Sequence, residues 1–218
     1  MKKSGTKIVI VDYGVGNLFS LSNAAGLFTK DLVISEDADT IKNAHAIILP
    51  GVGAFKAGME GLKIRNLIGT IKAFAKTGKP ILGICLGAQL MLTKGYEFGE
   101  FEGLDIIAGK VIPFPKFKNA DKIPHIGWNK IFPFNKGRWN DTIMRSTSVN
   151  TYVYFVHSYI IETKNNDNVL ALTKYGDMNF TSVIKKGNIY GCQFHPEKSG
   201  PDGLTIIDEF IKFVKING

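Results

Sequence analysis

Residues 81–90 read ILGICLGAQL, an apolar run that ends in Gly83-Ile84-Cys85-Leu86-Gly87 and then turns amphipathic. A strand that stops at G-x-C-x-G and passes into a helix has the geometry of a nucleophile elbow, a tight turn that presents its central side chain at the carboxyl edge of a sheet. Gly83 and Gly87 remove Cβ atoms where strand and helix nearly touch. Cys85 would stand at the positive end of the helix that follows, which favours a thiolate. Taken alone, a cysteine is more often a small buried hydrophobe than a nucleophile. The weight therefore falls on whether a base and an oxyanion site accompany it.

Four histidines are candidates for the base. His195 lies in GCQFHPEKSG, just past the apolar strand NIYGCQF, with Glu197 two positions on. In an extended stretch such positions share a side, so the Glu197 carboxylate can fix the tautomer of His195 and stabilise its imidazolium, as in a Ser-His-Asp site with a thiol replacing the hydroxyl. His45 precedes a buried strand, and His125 (PHIGWN) and His157 (FVHSY) read as packing or binding elements. Cys192, inside a strand, reads as core. Pro50-Gly51-Val52-Gly53-Ala54-Phe55 follows the strand HAIIL; if that strand neighbours the one ending at Cys85, its backbone N–H groups can meet a reacting carbonyl. The second donor would be the amide of Leu86. Each such donor is worth about 2.7–4 kcal/mol of barrier. By itself PGVG is most simply a strand-ending turn.

The elements that must position these groups alternate. Apolar, β-branched runs at 7–12, 32–35, 45–50 and 80–85 are separated by helix-like segments near 17–28, 37–43 and 59–77. Continuous apolar strands between helices predict a parallel sheet covered on both faces. From 106 to 195 the texture changes to strand-like pieces (IIAGKVIPF, YVYFVHSYIIE, NVLALTKYG, FTSVIKK, NIYGCQF) joined by short turns, which favours antiparallel pairing. A final helix over 202–216 carries Leu204, Ile207, Phe210, Ile211 and Val214 on one stripe. The expected fold is α/β: a doubly wound, mostly parallel sheet flanked by helices, with antiparallel strands in the second half, as one domain over residues 1–218.

Composition narrows the functional classes. The net charge of +8 comes from scattered lysines, with only short groupings such as Lys116, Lys118 and Lys122, so a solvated basic surface is expected and not a nucleic-acid site. The opening MKKSGTK is basic, but the apolar IVIV after it is interrupted by Asp12 and too short for a signal peptide, and no apolar run reaches the roughly 18 residues of a membrane span. A cytoplasmic protein with both cysteines reduced is expected. The dispersed histidines and the absence of C-x-x-C give no metal constellation. Gly14-Val15-Gly16 lacks the third glycine of a dinucleotide fingerprint and reads as a β-to-α turn. No cofactor is expected.

GICLGAQL, PGVGAF and QFHPEKSG, present together and in this order, resemble the class I, triad-type glutamine amidotransferases. The resemblance extends through VDYGVGNL (11–18), PHIGWN (124–129) and YFVHSY (154–159), and so covers nearly the whole chain. It implies a flavodoxin-like glutaminase in which Cys85 attacks the side-chain amide of glutamine, His195 moves the protons and Glu197 orients His195. It further implies oxyanion contacts from Gly53 and Leu86, and glutamine held by Gln89 and by His157, Ser158 and Tyr159. The fuller motif set is similar to the branch that passes ammonia, without release to water, to a separate (β/α)8 cyclase subunit forming imidazole glycerol phosphate in histidine biosynthesis. Asn17, His125, Trp128, Tyr154 and Lys198 match positions at or near that subunit interface. Segments 92–107 and 173–191 are also similar to a paralogous branch that supplies ammonia for amidination of surface-sugar precursors.

Two further classes stand beside this reading. A partner-binding subunit that has lost catalysis would not need all three of Cys85, His195 and Glu197. A cysteine hydrolase of another α/β type would share the elbow without requiring PGVGAF, Gln89 and HPEKSG together.

Overall fold

The computed structural model describes residues 6–116 and 122–217. Lys118 and most of the MKKSGTK opening lie outside the described residues. The first half alternates as its hydrophobic pattern requires: β1 (Ile8–Val11), α1 (Leu18–Gly26), β2 (Leu32–Ser35), α2 (Ala38–Lys42), β3 (Ala46–Leu49), α3 (Phe55–Ile64), α4 (Leu67–Lys76), β4 (Ile81–Ile84) and α5 (Leu86–Leu90). There follow β5 (Leu92–Gly95), β6 (Phe101–Glu102), β7 (Ile107–Pro113), β8 (His125–Lys130), β9 (Phe132–Pro133), β10 (Tyr152–His157), β11 (Tyr159–Thr163), β12 (Val169–Tyr175), β13 (Met178–Lys186), β14 (Ile189–Cys192) and α6 (Gly200–Asn217).

The main sheet runs β2-β1-β3-β4-β14-β13-β11-β7-β5-β6, with β12 and β9 attached beside β13. Its β2-β1-β3-β4-β14 portion is parallel, and β14-β13, β13-β11 and β11-β7 are antiparallel, so the expected change of texture is a real change of pairing. Strands β1, β3, β4 and β14 are buried at every residue because helices cover both faces. Ile8 and Ile10 pack with α1 and α6, whereas Val9 and Val11 pack with α2, α3 and α4. The alternate direction of successive side chains divides the core into these two layers. The stripe of α6 is broader than the spacing suggested, since Ile206 is fully buried while Leu204 is half-buried. Each fully buried side chain of this size contributes about 1.5–3 kcal/mol, so this stripe is what fastens α6 to the sheet.

Three expectations are corrected. The helix expected over 59–77 is two helices, because Asn66 takes a left-handed conformation (φ 56°) that asparagine tolerates and that a continuous helix excludes. The run YVYFVHSYIIE is two strands that part at Ser158: among the described residues β10 pairs with β8 alone, in a separate two-stranded ribbon, and β11 joins the main sheet. The helix after Cys85 is a five-residue segment that gives way to β5, so the dipole it offers the sulfur is smaller than that of a long helix.

Candidate active site

Sheet pairing brings the separated motifs together. β3 and β4 are parallel neighbours, with Leu49 opposite Gly83, and β4 pairs on its other side with β14, Ile84 opposite Cys192. Their carboxyl ends therefore deliver PGVGAF, Cys85 and QFHPEK to one edge. The close approach is steric: a Cβ on Gly87 would lie 1.9 Å from the Leu49 carbonyl oxygen, and one on Gly83 would lie 2.7 Å from Ala88 Cα. The cysteine sits between glycines because nothing larger fits on either side of the turn.

Cys85 itself is strained, with φ 52° and ψ −110°. A non-glycine residue persists there only where its surroundings over-determine it. The backbone supplies one tie, since the Cys85 N–H donates to the Cys192 carbonyl at 2.7 Å. The sulfur lies 4.0 Å from the Val156 carbonyl and 3.9 Å from Gln193 Nε2. Both cysteines are free, and burial pushes the Cys192 thiol up, as suits a core residue.

His195 and Glu197 lie behind Cys85, with side chains 2% and 5% exposed. His195 Nδ1 donates to Glu197 Oε1 at 2.8 Å, which leaves Nε2 as the free ring nitrogen, buried and without a hydrogen-bond partner. Burial disfavours the imidazolium, but the Cys85 sulfur and then the Glu197 carboxylate outweigh it and raise the pKa to about 9. At neutral pH this arrangement favours a sulfur–imidazolium pair, ready to donate a proton to a leaving amine. The two residues face each other through a turn and not through the extended backbone expected, because Pro196–Lys198 form a 3-10 turn.

In front of Cys85 lies a cleft of about 460 Å³ lined by Gly53, Leu86, Gln89, His157, Ser158 and Tyr159, all expected from the sequence. Val52, Ala54, Glu97, Pro124 and Val156 complete its wall. Concavities of about 550 and 740 Å³ elsewhere contain neither cysteine nor histidine. Gly53 has φ 105°, which reserves the position for glycine. Gln89 is already engaged: Nε2 donates to the Tyr159 carbonyl at 3.2 Å and to Gln193 Oε1 at 3.1 Å.

Of the expected interface residues, Asn17 caps α1 by accepting from the Ser20 N–H, and Asn17 and Lys198 are exposed. Trp128 and Tyr154 face each other across the β8–β10 ribbon, their rings 6.1 Å apart, and Trp128 is 54% exposed. His125 differs: it is buried, stacked between Phe155 and Tyr175, so any bearing it has on that surface is indirect.

The match to the family described as glutamine amidotransferase class-I spans residues 9–213. The chain belongs to this family. Imidazole glycerol phosphate synthase subunit HisH 1 of Legionella pneumophila (strain Paris) is 47% identical over 211 residues, covering 95% of this chain and 99% of that one. Subunit HisH of Lactococcus lactis subsp. lactis is 46% identical over 206 residues, covering 94% and 98%. Among solved structures, that of PurLQS from Thermotoga maritima superimposes with a TM-score of 0.70 at 18% identity over 97% of this chain and 100% of the matched chain, a likeness of fold.

At the candidate site of this class-I amidotransferase chain, sequence reasoning missed several residues. Glu97 Oε2 accepts the Phe55 N–H at 2.6 Å and so caps α3 beside the PGVG turn; a single carboxylate in a loop gave no signal. The buried Tyr13 hydroxyl donates to the Pro50 carbonyl and anchors the same turn, and burial together with the Cys85 charge pushes its pKa up. Tyr13 stood within VDYGVGNL, a motif that could have flagged it. Among the described residues no group of three or more His, Cys, Asp or Glu is placed to hold a metal ion, and no helix is long and apolar enough to cross a membrane.

Proposed function

We propose that this chain, acting as one unit over its 218 residues, is the cytoplasmic glutaminase subunit of an imidazole glycerol phosphate synthase, delivering ammonia to a (β/α)8 cyclase subunit in histidine biosynthesis. The observation that carries the chemistry is the buried His195–Glu197 pair, coupled electrostatically to the sulfur of a strained cysteine that lines a cleft. The subunit name shared by relatives of nearly full length supports the assignment, and favours this branch over the surface-sugar one.

Cys85 Sγ attacks the side-chain carbonyl carbon of glutamine, and the oxyanion that forms meets the N–H groups of Gly53 and Leu86. His195 gives its proton to the nitrogen as the C–N bond breaks, so ammonia leaves and a thioester remains. His195 then takes a proton from water, whose oxygen attacks the thioester to release glutamate and restore the thiolate. Gln89 and the 157–159 edge hold the glutamine. Ammonia in water at neutral pH is mostly ammonium, which is no nucleophile, so a closed passage to the partner preserves the reactive form. Asn17, Trp128, Tyr154 and Lys198 provide the docking face.

The test is Cys85→Ala in the complex with the cyclase and its substrate. Ammonia release should vanish while assembly and the thermal transition are retained. Turnover persisting in that variant excludes the reading. Labelling of Cys85 by a glutamine-mimicking electrophile should be slowed by glutamine, and labelling indifferent to glutamine would point instead to a hydrolase with another substrate.

A further inference from the structure

We propose that two hydrogen-bond relays meeting at the Tyr159 carbonyl, one from Asn129 through the buried His125–His157 pair and one leading from Gln89 through Gln193 to the sulfur of Cys85, order the glutaminase site, with His125 and Gln193 as positioning residues. The inference rests on the function proposed above, but its first test does not.

The direction of every link follows from one group that can only accept. The Tyr159 carbonyl lies 2.9 Å from His157 Nδ1, so Nδ1 carries the proton. Burial pushes the His157 pKa down to about 3, so the ring is neutral and its Nε2 is a bare acceptor. The atom 3.1 Å from that Nε2 is His125 Nδ1, which must therefore be protonated. Burial also holds His125 neutral, at about 4, so its Nε2 accepts in turn, from Asn129 Nδ2 at 3.3 Å. The Asn129 amide is oriented independently: Nδ2 also donates to the Lys174 carbonyl at 2.9 Å, and Oδ1 accepts the Lys130 N–H at 2.8 Å. Reversing any link would set two donors or two acceptors face to face.

At the Tyr159 carbonyl two donors converge, and from Gln89 a second relay leads to the reacting atom. The same carbonyl accepts from Gln89 Nε2 at 3.2 Å, whose second proton goes to Gln193 Oε1 at 3.1 Å. With its oxygen committed, Gln193 turns Nε2 towards the Cys85 sulfur at 3.9 Å. Gln193 is fully buried, so this placement costs desolvation that only a partner offsets. A flipped Gln193 would set its amide N–H group against that of Gln89, two donors face to face. Stacking of His125 between Phe155 (4.8 Å) and Tyr175 (4.0 Å) holds its ring plane, and Phe114 and Phe180 close around His157.

Both rings must then be the Nδ1–H tautomer, the minor form of a free neutral imidazole. Nitrogen-15 spectra of the 218-residue chain at neutral pH should show a protonated Nδ1 and a bare Nε2 for His125 and His157 alike. Either ring found as Nε2–H, or charged, overturns the proposal and leaves the Cys85→Ala test of the glutaminase untouched. In the complex, Gln193→Met should move the pH profile of Cys85 alkylation by iodoacetamide upwards by about one unit. A profile that superimposes on the parent's overturns the link to sulfur. His125→Phe should raise the KM for glutamine about tenfold with a smaller change in kcat, while His125→Asn, which keeps a donor near the Nδ1 position, should restore it. Equal KM in all three proteins overturns the role of His125. If His125→Phe does not fold, the tautomers of the unsubstituted chain still decide.

Discussion

The His195 amide donates to the Tyr154 carbonyl at 2.9 Å, which ties the residue bearing the buried imidazole to a strand of the exposed ribbon. The tie is doubled: the Tyr154 N–H donates to Ser199 Oγ at 2.9 Å, and that hydroxyl donates to the His195 carbonyl at 2.6 Å. A displacement of β10 thus acts directly on the turn that carries His195 and Glu197. The ribbon also exposes apolar surface, with Ile126 60%, Trp128 54% and Tyr152 51% exposed. Such a cluster suits a partner's face better than open water.

Trp128→Ala should therefore weaken association with the cyclase by about 2 kcal/mol or more, roughly thirtyfold in Kd, as expected for an aromatic anchor. The thermal transition of the isolated chain should hardly move, because the side chain is already half in solvent. Titration calorimetry on the two proteins measures the first, and a melt the second.

Glu197→Gln removes the carboxylate that helps to hold His195 at about 9 while preserving shape. Glutamine turnover should fall by about 10²–10⁴-fold. The alkaline limb of the rate profile, set by the imidazolium, should shift to lower pH. Steady-state rates across pH in the complex test both statements.

At Gly53 a Cβ would meet no atom within 4 Å, yet φ is 105°. Alanine there is strained by about 1–3 kcal/mol without a clash, so the turn should re-fold locally. Gly53→Ala should lower kcat for glutamine by about tenfold or more, with a melt lowered by only a few degrees. An unchanged kcat would remove Gly53 from the oxyanion site.

Stability should depend on pH from both sides. Burial lowers the pKa of His157 to about 3 and of His125 to about 4, from 6.5, so between those values the unfolded chain binds more protons than the folded one. Stability should fall as pH drops below about 6.5. His195 has the opposite sign: raised to about 9, it contributes fully below 6.5 and its contribution is lost as pH rises through about 9. Urea midpoints measured across this range should form a dome, and replacing His125 and His157 by Phe should flatten its acid limb.

Much of the candidate site was legible because its patterns are local. Cys85 between glycines, His195 two positions from Glu197, and the PGVG turn are short-range patterns whose residue types follow from backbone shape and proton transfer. The parallel framework was legible for a similar reason, since strands covered on both faces must be apolar throughout. Less was legible where a long-range contact decided. Glu97 is the cap of α3 only because a loop reaches across the chain to the Phe55 N–H. Gln193 reads as one more alternating strand residue until Cys85 and Gln89 are seen beside it. The break at Asn66 follows from a left-handed conformation that a helical hydrophobic pattern does not encode.

The sequence by itself determined which groups this protein could use and that it would build a doubly wound sheet, because side-chain chemistry and hydrophobic period are properties of short stretches. Only the tertiary structure decided that β3, β4 and β14 lie side by side, that His195 reaches Glu197 through a turn, and that two histidines become neutral links in a polarised chain. Pairing register and burial decide these, and both are properties of the packed whole.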